Sequence, residues 1–453
     1  MSDPSDDSAV RVEGLEVAHV LLNSPGRIAE PKDGALAGAI SETRRLWTPP
    51  DKRLIATGHQ ATLRHPGILA KDLVASELSI LIDARVLRLL VDQDVHQIGP
   101  LEVPASGPSG VLVSRTVPCL ESHREAPTGR RPPIELDRTR IPEGLSPSVA
   151  AGVDAIDREL RRASDRASAA AQVGAALDAL AAPFASLASP VAASGLLSTP
   201  LGLELLRKIA EDPLACARAF NDALTDDPRA ARPLRIQGDL AEAPLWSIDR
   251  NATRQRVHMD LRESKERRVE RLQTAAHQSP SRIAPRGLLM SGLVRLVADL
   301  FIHGRGGWRY DRVTERWFTT WLGVELRPMA MVSADLRLPI GSDAEPRERL
   351  RRRWHDPTWG GGSEPSPEKT DRLRSIAAAG PRSRDRREAF LEMHAELERL
   401  RALNAVAPPP ARGDDPAAVA ARRDWTFPLH SPEAISALVG DVRRAVALSI
   451  APR

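Results

Sequence analysis

Two histidines and a lysine lie close together in residues 57–71, which read T-G-H-Q-A-T-L-R-H-P-G-I-L-A-K. His59 and His65 carry imidazoles, which exchange protons near neutral pH and also bind metal ions. Lys71 is one of only six lysines in the chain, so it is less readily explained as a random surface charge. The segment therefore combines groups for acid-base chemistry or metal binding with a cation that could hold an anion.

These residues stand where a strand is expected to be followed by a helix. The apolar run at residues 53–56 predicts the strand, Pro66 favours a helix start, and residues 68–82 contain no helix breaker. A second apolar run, residues 86–91, predicts another strand, and the polar residues that follow it are Asp92, Gln93 and Asp94. A strand, a helix and a strand normally form a right-handed parallel crossover, whose two carboxyl ends share one edge of the sheet. We therefore expect both polar segments to meet at that edge, where α/β proteins bind ligands.

Three interpretations of these polar groups stay open. Imidazole and carboxylate suit zinc, iron or manganese, and the candidate ligands are His59, His65, Asp92, Asp94 and His96. Without a metal, His59 and an aspartate could act as general acid and base in an acyl or nucleotidyl transfer. In the third interpretation, His65 caps the helix and the two aspartates close a turn.

Residues 303–307, which read H-G-R-G-G, form a second candidate site. Backbone amides of a glycine-rich turn before a helix can cradle a phosphate or a carboxylate, and Arg305 adds a cation. The pattern is not a Walker A motif, because no Lys-Ser or Lys-Thr pair follows, and an apolar helix is expected before it at residues 287–302. The alternative is a tight turn between two helices.

Composition narrows the class of protein. With 453 residues, of which 42% are hydrophobic, the chain can bury a sizeable core. The 64 basic and 60 acidic residues nearly balance, so the charge does not favour nucleic acid as a partner. Cys119 and Cys216 have no metal-ligand spacing and cannot form a disulfide framework. Neither an export signal nor an apolar run of about eighteen residues is present, so we expect a cytoplasmic protein without a membrane partner.

The order of patterns predicts an α/β protein with three parts. These are a polar tail at residues 1–14, a core at 15–342 with a mainly helical insertion at about 148–230, and a C-terminal helical region at 343–453 with linkers at 356–370 and 405–418. Residues 111–114 predict a third strand, and residues 329–333 predict a buried strand that returns to the sheet.

The motifs in this order resemble the cysteine-adding enzyme (cysteine ligase) family of bacillithiol biosynthesis, which acts on glucosaminyl-malate. In that family the first motif reads T-G-Q-Q-x-G-L-F-x-G-P-L-Y-x-x-x-K and the second reads E-D-H-D. The matching residues here are Thr57, Gly58, His59, Gln60, Gly67 and Lys71 for the first motif, and Asp92, Gln93, Asp94 and His96 for the second. Residues 288–302, 303–307 and Tyr310 are similar in placement to a later family segment, in which an apolar helix runs into G-G-P-x-E-I-A-Y. In this chain a histidine stands at the first glutamine position, and Gln93 separates the two acids.

The resemblance implies a Rossmann-like parallel-sheet core with inserted connecting helices and a C-terminal helical segment, which forms a dimerising coiled coil in the family. It implies a ligase that joins cysteine or another amino acid to an amino sugar or other small amine, with a nucleotide, ATP or ADP, as the candidate cofactor. The catalytic candidates are His59, Asp92 and Asp94. The substrate-binding candidates are Thr57, Gly58, Gln60, Lys71, Gln93, His96, His303, Gly304, Arg305, Gly306, Gly307 and Tyr310.

Two other functions are compatible with the same residues. A metal-dependent hydrolase would use His59, His65, Asp92 and His303. A non-catalytic binding protein would keep the core and lack the chemistry. We expect small-molecule substrates, and a homodimer if the C-terminal helices pair as they do in the family.

Overall fold

The computed structural model describes residues 10–15, 31–107, 111–278, 282–340, 347–359, 364–406, 408 and 415–450. The strands are β1 (Val10–Glu13), β2 (Arg53–Gln60), β3 (Ala84–Val91), β4 (Leu101–Ser106), β5 (Leu112–Val117), β6 (Cys119–Leu120), β7 (Glu135–Leu136), β8 (Pro190–Ala192), β9 (Ile236–Gln237), β10 (Leu240–Ile248), β11 (Arg254–Asp260), β12 (Ile283–Pro285), β13 (Leu300–His303) and β14 (Met329–Ala334). The α-helices are α1 (Gly34–Trp47), α2 (Pro66–Leu81), α3 (Pro147–Arg162), α4 (Ala169–Ala181), α5 (Pro200–Glu211), α6 (Pro213–Ala223), α7 (Lys265–Gln278), α8 (Gly287–Val297), α9 (Arg305–Leu322), α10 (Arg347–His355), α11 (Pro367–Ala378), α12 (Arg384–Leu403), α13 (Pro416–Ala420) and α14 (Pro432–Ile450).

A mostly parallel sheet with helices on both faces forms the core, so the fold is α/β and Rossmann-like, as predicted. Its strands lie in the order β1-β14-β13-β2-β3-β8, and only the β1–β14 pair is antiparallel. Side chains along β2 alternate between two hydrophobic cores: Ile55 joins the core under α2, while Leu54 and Ala56 join the core under α8. The sheet is therefore covered on both sides, as parallel sheets usually are.

The predicted strand, helix and strand unit is confirmed as β2, α2 and β3. Pro66 opens α2, and the Nδ1 atom of His65 accepts a hydrogen bond from the amide of Gly67 at 3.1 Å. Strand β2 is longer than the predicted run, since the T-G-H-Q motif forms its last four residues instead of a turn. Gly58 pairs with Leu89 on β3, and a Cβ atom at Gly58 would lie 2.8 Å from the Leu89 Cβ.

Strand β13 was not predicted, because residues 287–302 were expected to form one helix. Helix α8 ends at Val297, where Ala298 adopts an extended conformation, and the backbone amide of Asp299 then donates to the carbonyl of Leu54 at 2.7 Å. The Asp299 carboxylate accepts from the Leu54 amide at 2.8 Å and from Arg44 at 2.6 Å. These bonds align the following apolar residues between β2 and β14, in the middle of the sheet.

The remaining strands lie outside the main sheet. The predicted third strand is confirmed as β5, which pairs with β4 in a separate two-stranded sheet. Strands β10 and β11 form a hairpin and share a sheet with β9 and β12. Helices α3 to α6 fill the predicted helical insertion, and β8 within it extends the main sheet next to β3.

The C-terminal residues return to the core. Helix α14 packs against α2, and its Val442 and Val446 belong to the same buried cluster as Leu73. Strand β1, which lies within the predicted polar tail, closes one edge of the main sheet. The division into a tail, a core and a C-terminal region stays a prediction, although these contacts cross its boundaries. Within the described residues, no helix is both long enough and apolar enough to cross a membrane.

Candidate functional site

A cavity of about 610 Å³, here called the central cavity, lies at the carboxyl ends of the main-sheet strands. The end of β2 provides His59, the end of β13 provides His303, and β14 provides Ser333. Two helices, α2 and α9, begin at its wall, so two sets of backbone amides lie near the same space. This is the edge of an α/β sheet at which ligands bind.

Lys71 is the buried cation of the central cavity. Its side chain, from the second turn of α2, is only 3% exposed, and its Nζ atom donates to the carbonyl oxygen of Gly58 at 2.8 Å. Burial lowers the pKa of Lys71 to about 8, and the charge of Arg64 acts in the same direction. At neutral pH the lysine is therefore mostly protonated but readily gives up its proton.

The adjacent carboxylate does not form an ion pair with Lys71. Asp72 is bound instead to Arg64 at 2.7 Å, and Arg88 lies 3.6 Å away. Arg88 is fixed in turn by a bidentate pair with Asp178. Because these arginines occupy Asp72, the charge of Lys71 is left for a ligand.

The glycine-rich turn connects β13 directly to α9. This corrects the alternative of a turn between two helices, and the anion-cradle geometry of a strand, a glycine turn and a helix is present. Gly304 is the N-cap of α9 and makes no side-chain capping bond, so the first amides of the helix lack a side-chain acceptor at the cap. A Cβ atom on Gly304 would lie 3.7 Å from the Cδ atom of Lys71, which places the lysine stem beside the turn. Arg305 also lines the central cavity.

His303 is held by a buried carboxylate. Its Nε2 atom lies 2.9 Å from Oδ2 of Asp311, which also accepts from Arg295 at 2.8 Å. Burial alone would raise the pKa of Asp311, but the hydrogen bond from His303 and the charges of His303 and Arg295 hold that pKa well below its usual range. The carboxylate therefore stays ionised and holds the proton of His303 on Nε2, which makes Nδ1 the proton acceptor. Gly307 leaves room for this ring, since a Cβ atom there would lie 2.3 Å from Nδ1.

His59 is the second imidazole of the central cavity. Its Nδ1 atom lies 3.1 Å from the carbonyl oxygen of Gln60. Burial lowers the pKa of His59 well below its usual value, and the charges of Lys71 and Arg64 lower it further. His59 is therefore neutral at pH 7 and can offer a hydrogen bond without adding charge.

Gln60 and Asp94 form the polar side of the central cavity. The amide nitrogen of Gln60 donates to Oδ2 of Asp94 at 2.5 Å, and Arg254 donates to Oδ1 of the same carboxylate at 2.8 Å. Tyr310, the only tyrosine in the chain, also lines this side. Burial raises the pKa of its hydroxyl, which keeps that group protonated and able to donate.

Four of the predicted site residues lie outside the central cavity. Asp92 accepts from the amide and the hydroxyl of Ser194 at 2.8 and 2.6 Å, which ties the end of β3 to the turn after β8. Gln93 donates to the carbonyl of Pro285 at 3.0 Å, and His96 contacts the carbonyl of Ala61 at 3.2 Å. Thr57 is fully buried and donates to the carbonyl of Ile302 at 3.2 Å. The structure therefore gives these four residues roles in joining elements of the fold.

The metal hypothesis gains no support from the geometry. His65 is the N-cap of α2, so the helix-cap interpretation is confirmed. Asp92 is bound to Ser194 and does not face His59 or His303. Across the part of the chain that the structure describes, no three histidine, cysteine, aspartate or glutamate side chains are grouped as metal ligands.

No model of a known protein family matches the chain, and no curated protein matches it. A functional conclusion must therefore be drawn from the residues of the central cavity.

Several residues of the site could not be found in the sequence. Asp311 and Arg295 carry no motif, and only the strand and helix geometry brings them behind His303. Arg423 lies far along the chain and lines the central cavity while paired with Asp335. The sequence signal that could have found Asp311 is its position in the second turn of the helix that follows the glycine turn, eight residues after His303.

Proposed function

We propose that this protein is an amide-forming ligase, in which the central cavity holds an anionic carboxylate or phosphate group next to the amine that is joined to it. The observation that carries the proposal is Lys71, a buried lysine without an ion-pair partner among the described residues, beside the N-terminus of α9. A cation and free helix amides at one place favour an oxyanion. Cysteine is the first candidate for the acid, and an amino sugar is the first candidate for the amine, as the resemblance implies.

The two sides of the central cavity would bind different parts of the substrates. Lys71 and the amides at Gly304 would hold the anion, and Arg305 lies at the same pole. Asp94 and Gln60 lie on the other side and would orient the amine or a sugar hydroxyl by hydrogen bonds. A nucleoside triphosphate, the candidate cofactor, would supply the energy for amide formation, and its phosphates fit the cationic pole.

Proton transfer is assigned to His303. The nucleoside triphosphate would have to transfer a phosphoryl or adenylyl group to a carboxylate oxygen, with loss of ADP or pyrophosphate, so that the carboxyl group carries a leaving group. When the amine nitrogen attacks that carboxyl carbon, the C–N bond forms, the nitrogen loses a proton, and the bond from carbon to the phosphate or AMP oxygen breaks with its electron pair on that oxygen. His303 can take that proton on Nδ1, because Asp311 stabilises the imidazolium that results. His59 would stay neutral and hydrogen-bond to the substrate. This revises the expectation that His59 is the acid-base group and that Asp92 takes part.

The test is product formation from cysteine, glucosaminyl-malate and ATP, followed by mass spectrometry, with other amino acids and amino sugars as parallel substrates. We expect product with the wild-type protein and a rate loss of at least about a hundredfold in Lys71→Met and in His303→Asn. Lys208→Met is the matched control, because Lys208 pairs with Asp33 on the surface and does not line the central cavity. The absence of product with every pair, or full activity in Lys71→Met, would overturn the proposal. Anion binding by the wild-type protein without any turnover would favour the non-catalytic alternative.

A further inference from the structure

A second cavity of about 440 Å³, here called the arginine cavity, adjoins the central cavity. Asp94, Gly287 and Tyr310 line both cavities and mark where they meet. The arginines that line only the second one are Arg232, Arg254, Arg256 and Arg286. They come from the connection before β9, from β11 and from the residue that precedes α8, so the tertiary fold brings them together.

Positive charge exceeds negative charge in the arginine cavity. Glu242 is fully buried on β10 and is shared by Arg256, at 3.1 Å, and Arg286. Arg254 pairs with Asp94, whose other oxygen is bound to Gln60. Four guanidinium groups therefore face two carboxylates. Asp94 already has two partners and Glu242 has three, since it also accepts from the backbone amide of Arg235.

Arg286 is left partly unsatisfied by this arrangement. Its Nε atom is buried and has no hydrogen-bond partner among the described residues. Burial lowers the pKa of Arg286, and the nearby charges of Arg256 and Arg254 lower it further against the opposing effect of Glu242. A buried N–H group without an acceptor, in a region of excess positive charge, destabilises the folded state unless an anion binds there.

Trp246 gives the arginine cavity a rigid wall. The guanidinium carbons of Arg254 and Arg286 lie 4.4 and 4.3 Å from the centre of its ring system. Such cation–π contacts restrict the positions of both guanidinium groups before a ligand binds. Planar, fixed guanidinium groups suit bidentate recognition of carboxylate or phosphate.

We infer that the arginine cavity is a second oxyanion subsite, and that the natural ligand carries two anionic groups, one bound at Lys71 and the other at Arg232, Arg254 and Arg286. The part of the ligand between them lies at Asp94 and Tyr310, where the two cavities meet. This inference deepens the proposed function, on which it rests for the choice of substrate, but the binding itself does not require turnover.

Calorimetry with fructose 1,6-bisphosphate and fructose 6-phosphate tests the inference without ATP or an amino acid. We expect the bisphosphate to bind the wild-type protein at least about tenfold more tightly than the monophosphate, as a charge-assisted contact would give. Arg232→Gln and Arg254→Gln should each reduce that preference, and Arg254→Lys should retain part of it. Arg262→Gln is the control, since Arg262 is an exposed arginine next to β11 that pairs with Asp260 and lines neither cavity.

Citrate serves as a second probe and separates carboxylate from phosphate as the preferred oxyanion. Arginine-dependent binding of either citrate or the bisphosphate supports the inference. Equal binding of the two fructose phosphates, with no arginine-dependent binding of citrate, would overturn it. Arginine variants that bind every probe like the wild-type protein would overturn it as well. If the subsite binds as expected while no substrate pair yields product, only the proposed ligase activity fails.

Discussion

The Nζ atom of Lys71 lies 2.8 Å from the carbonyl oxygen of Gly58, which joins the second turn of α2 to the end of β2. This bond satisfies one of the three ammonium donors and leaves the others for a ligand. Gly304 leaves space for the lysine stem, since a Cβ atom there would lie 3.7 Å from the Lys71 Cδ, whereas a Cβ atom at Gly58 would meet Leu89 on β3. The same glycine that allows close strand contact thus also supplies the acceptor for the buried cation.

Replacing Lys71 should stabilise the fold while it removes function. The pKa of Lys71 falls from 10.5 to about 8 on folding, so at pH 7 the folded state carries a cation that is costly to bury. Lys71→Met should raise the free energy of unfolding at pH 7 by about 1–3 kcal/mol. In the wild-type protein, stability should rise as the pH increases from about 8 to 10.5, since only the folded state loses the proton in that range.

Urea denaturation at pH 7 and pH 10 measures both effects. Lys208→Met should leave the pH dependence unchanged, because Lys208 is a surface residue paired with Asp33. A Lys71→Met protein that is less stable than the wild-type protein at pH 7 would contradict the conclusion that the buried charge of Lys71 destabilises the folded state.

Two neighbouring glycines of α9 should respond differently to alanine. In Gly307→Ala, the new Cβ atom would lie 2.3 Å from Nδ1 of His303, so the ring must leave its place beside Asp311. We expect a loss of activity of at least about tenfold. In Gly306→Ala the Cβ atom meets nothing within 4 Å, and alanine should stabilise the helix by about 0.5–1 kcal/mol.

Turnover and thermal unfolding of both variants provide the comparison. Equal activities would show that the position of His303 does not matter for the reaction. A Gly306→Ala protein that also loses activity, without a loss of stability, would show instead that a ligand approaches the backbone at residue 306.

Sequence patterns predicted the helices and strands whose conformation depends on neighbouring residues in the chain. The strand, helix and strand unit was predictable because apolar runs, Pro66 and an uninterrupted helical stretch lie next to one another in the chain. Strand β13 was missed because its four residues continue an apolar helix without a glycine or a proline between them. Its strand conformation depends on Asp299 and on pairing with two distant strands, which the local sequence does not specify.

The candidate site was predictable where residues follow a strand directly. The segments with His59 and His303 meet at one edge because parallel strands place their carboxyl ends together. Asp92 and Gln93 also follow a strand, but their side chains bind Ser194 and Pro285 instead. These partners lie about 100 and 190 residues further along the chain, so the local sequence does not predict the contacts. Arg254 was missed because it belongs to a different sheet, and only the tertiary fold brings it to Asp94.

Removing the carboxylate behind His303 should destabilise the protein strongly. Asp311 is fully buried between His303 and Arg295, and Arg295 is itself fully buried. Asp311→Asn removes the negative charge that neutralises buried Arg295, so the free energy of unfolding should fall by about 3–5 kcal/mol. It should also abolish turnover, because Asp311 no longer fixes the proton on Nε2 of His303.

Glu315→Gln is the matched control for Asp311→Asn. Glu315 pairs with the same arginine but its side chain is 42% exposed, so its loss should cost about 1 kcal/mol or less. Urea denaturation and turnover distinguish the two sites. Equal destabilisation by both substitutions would contradict the central role of Asp311.

His430 should make the protein sensitive to mild acid. Burial lowers the pKa of His430 from 6.5 to about 4. Above pH 6.5 the residue is neutral in both states, and as the pH falls from 6.5 to 4 only the unfolded state gains the proton, so stability is lost progressively, by up to about 3 kcal/mol. The segment just before His430 is tied to the core, because Thr426 and Phe427 both donate to the carbonyl of Arg64.

Thermal unfolding of His430→Leu between pH 4 and pH 7 isolates this contribution. The variant should lose less stability over that range than the wild-type protein, since leucine does not titrate. His394→Leu, at an exposed position of α12, should retain the wild-type pH dependence. If His430→Leu and the wild-type protein lose stability in parallel, the acid sensitivity arises elsewhere.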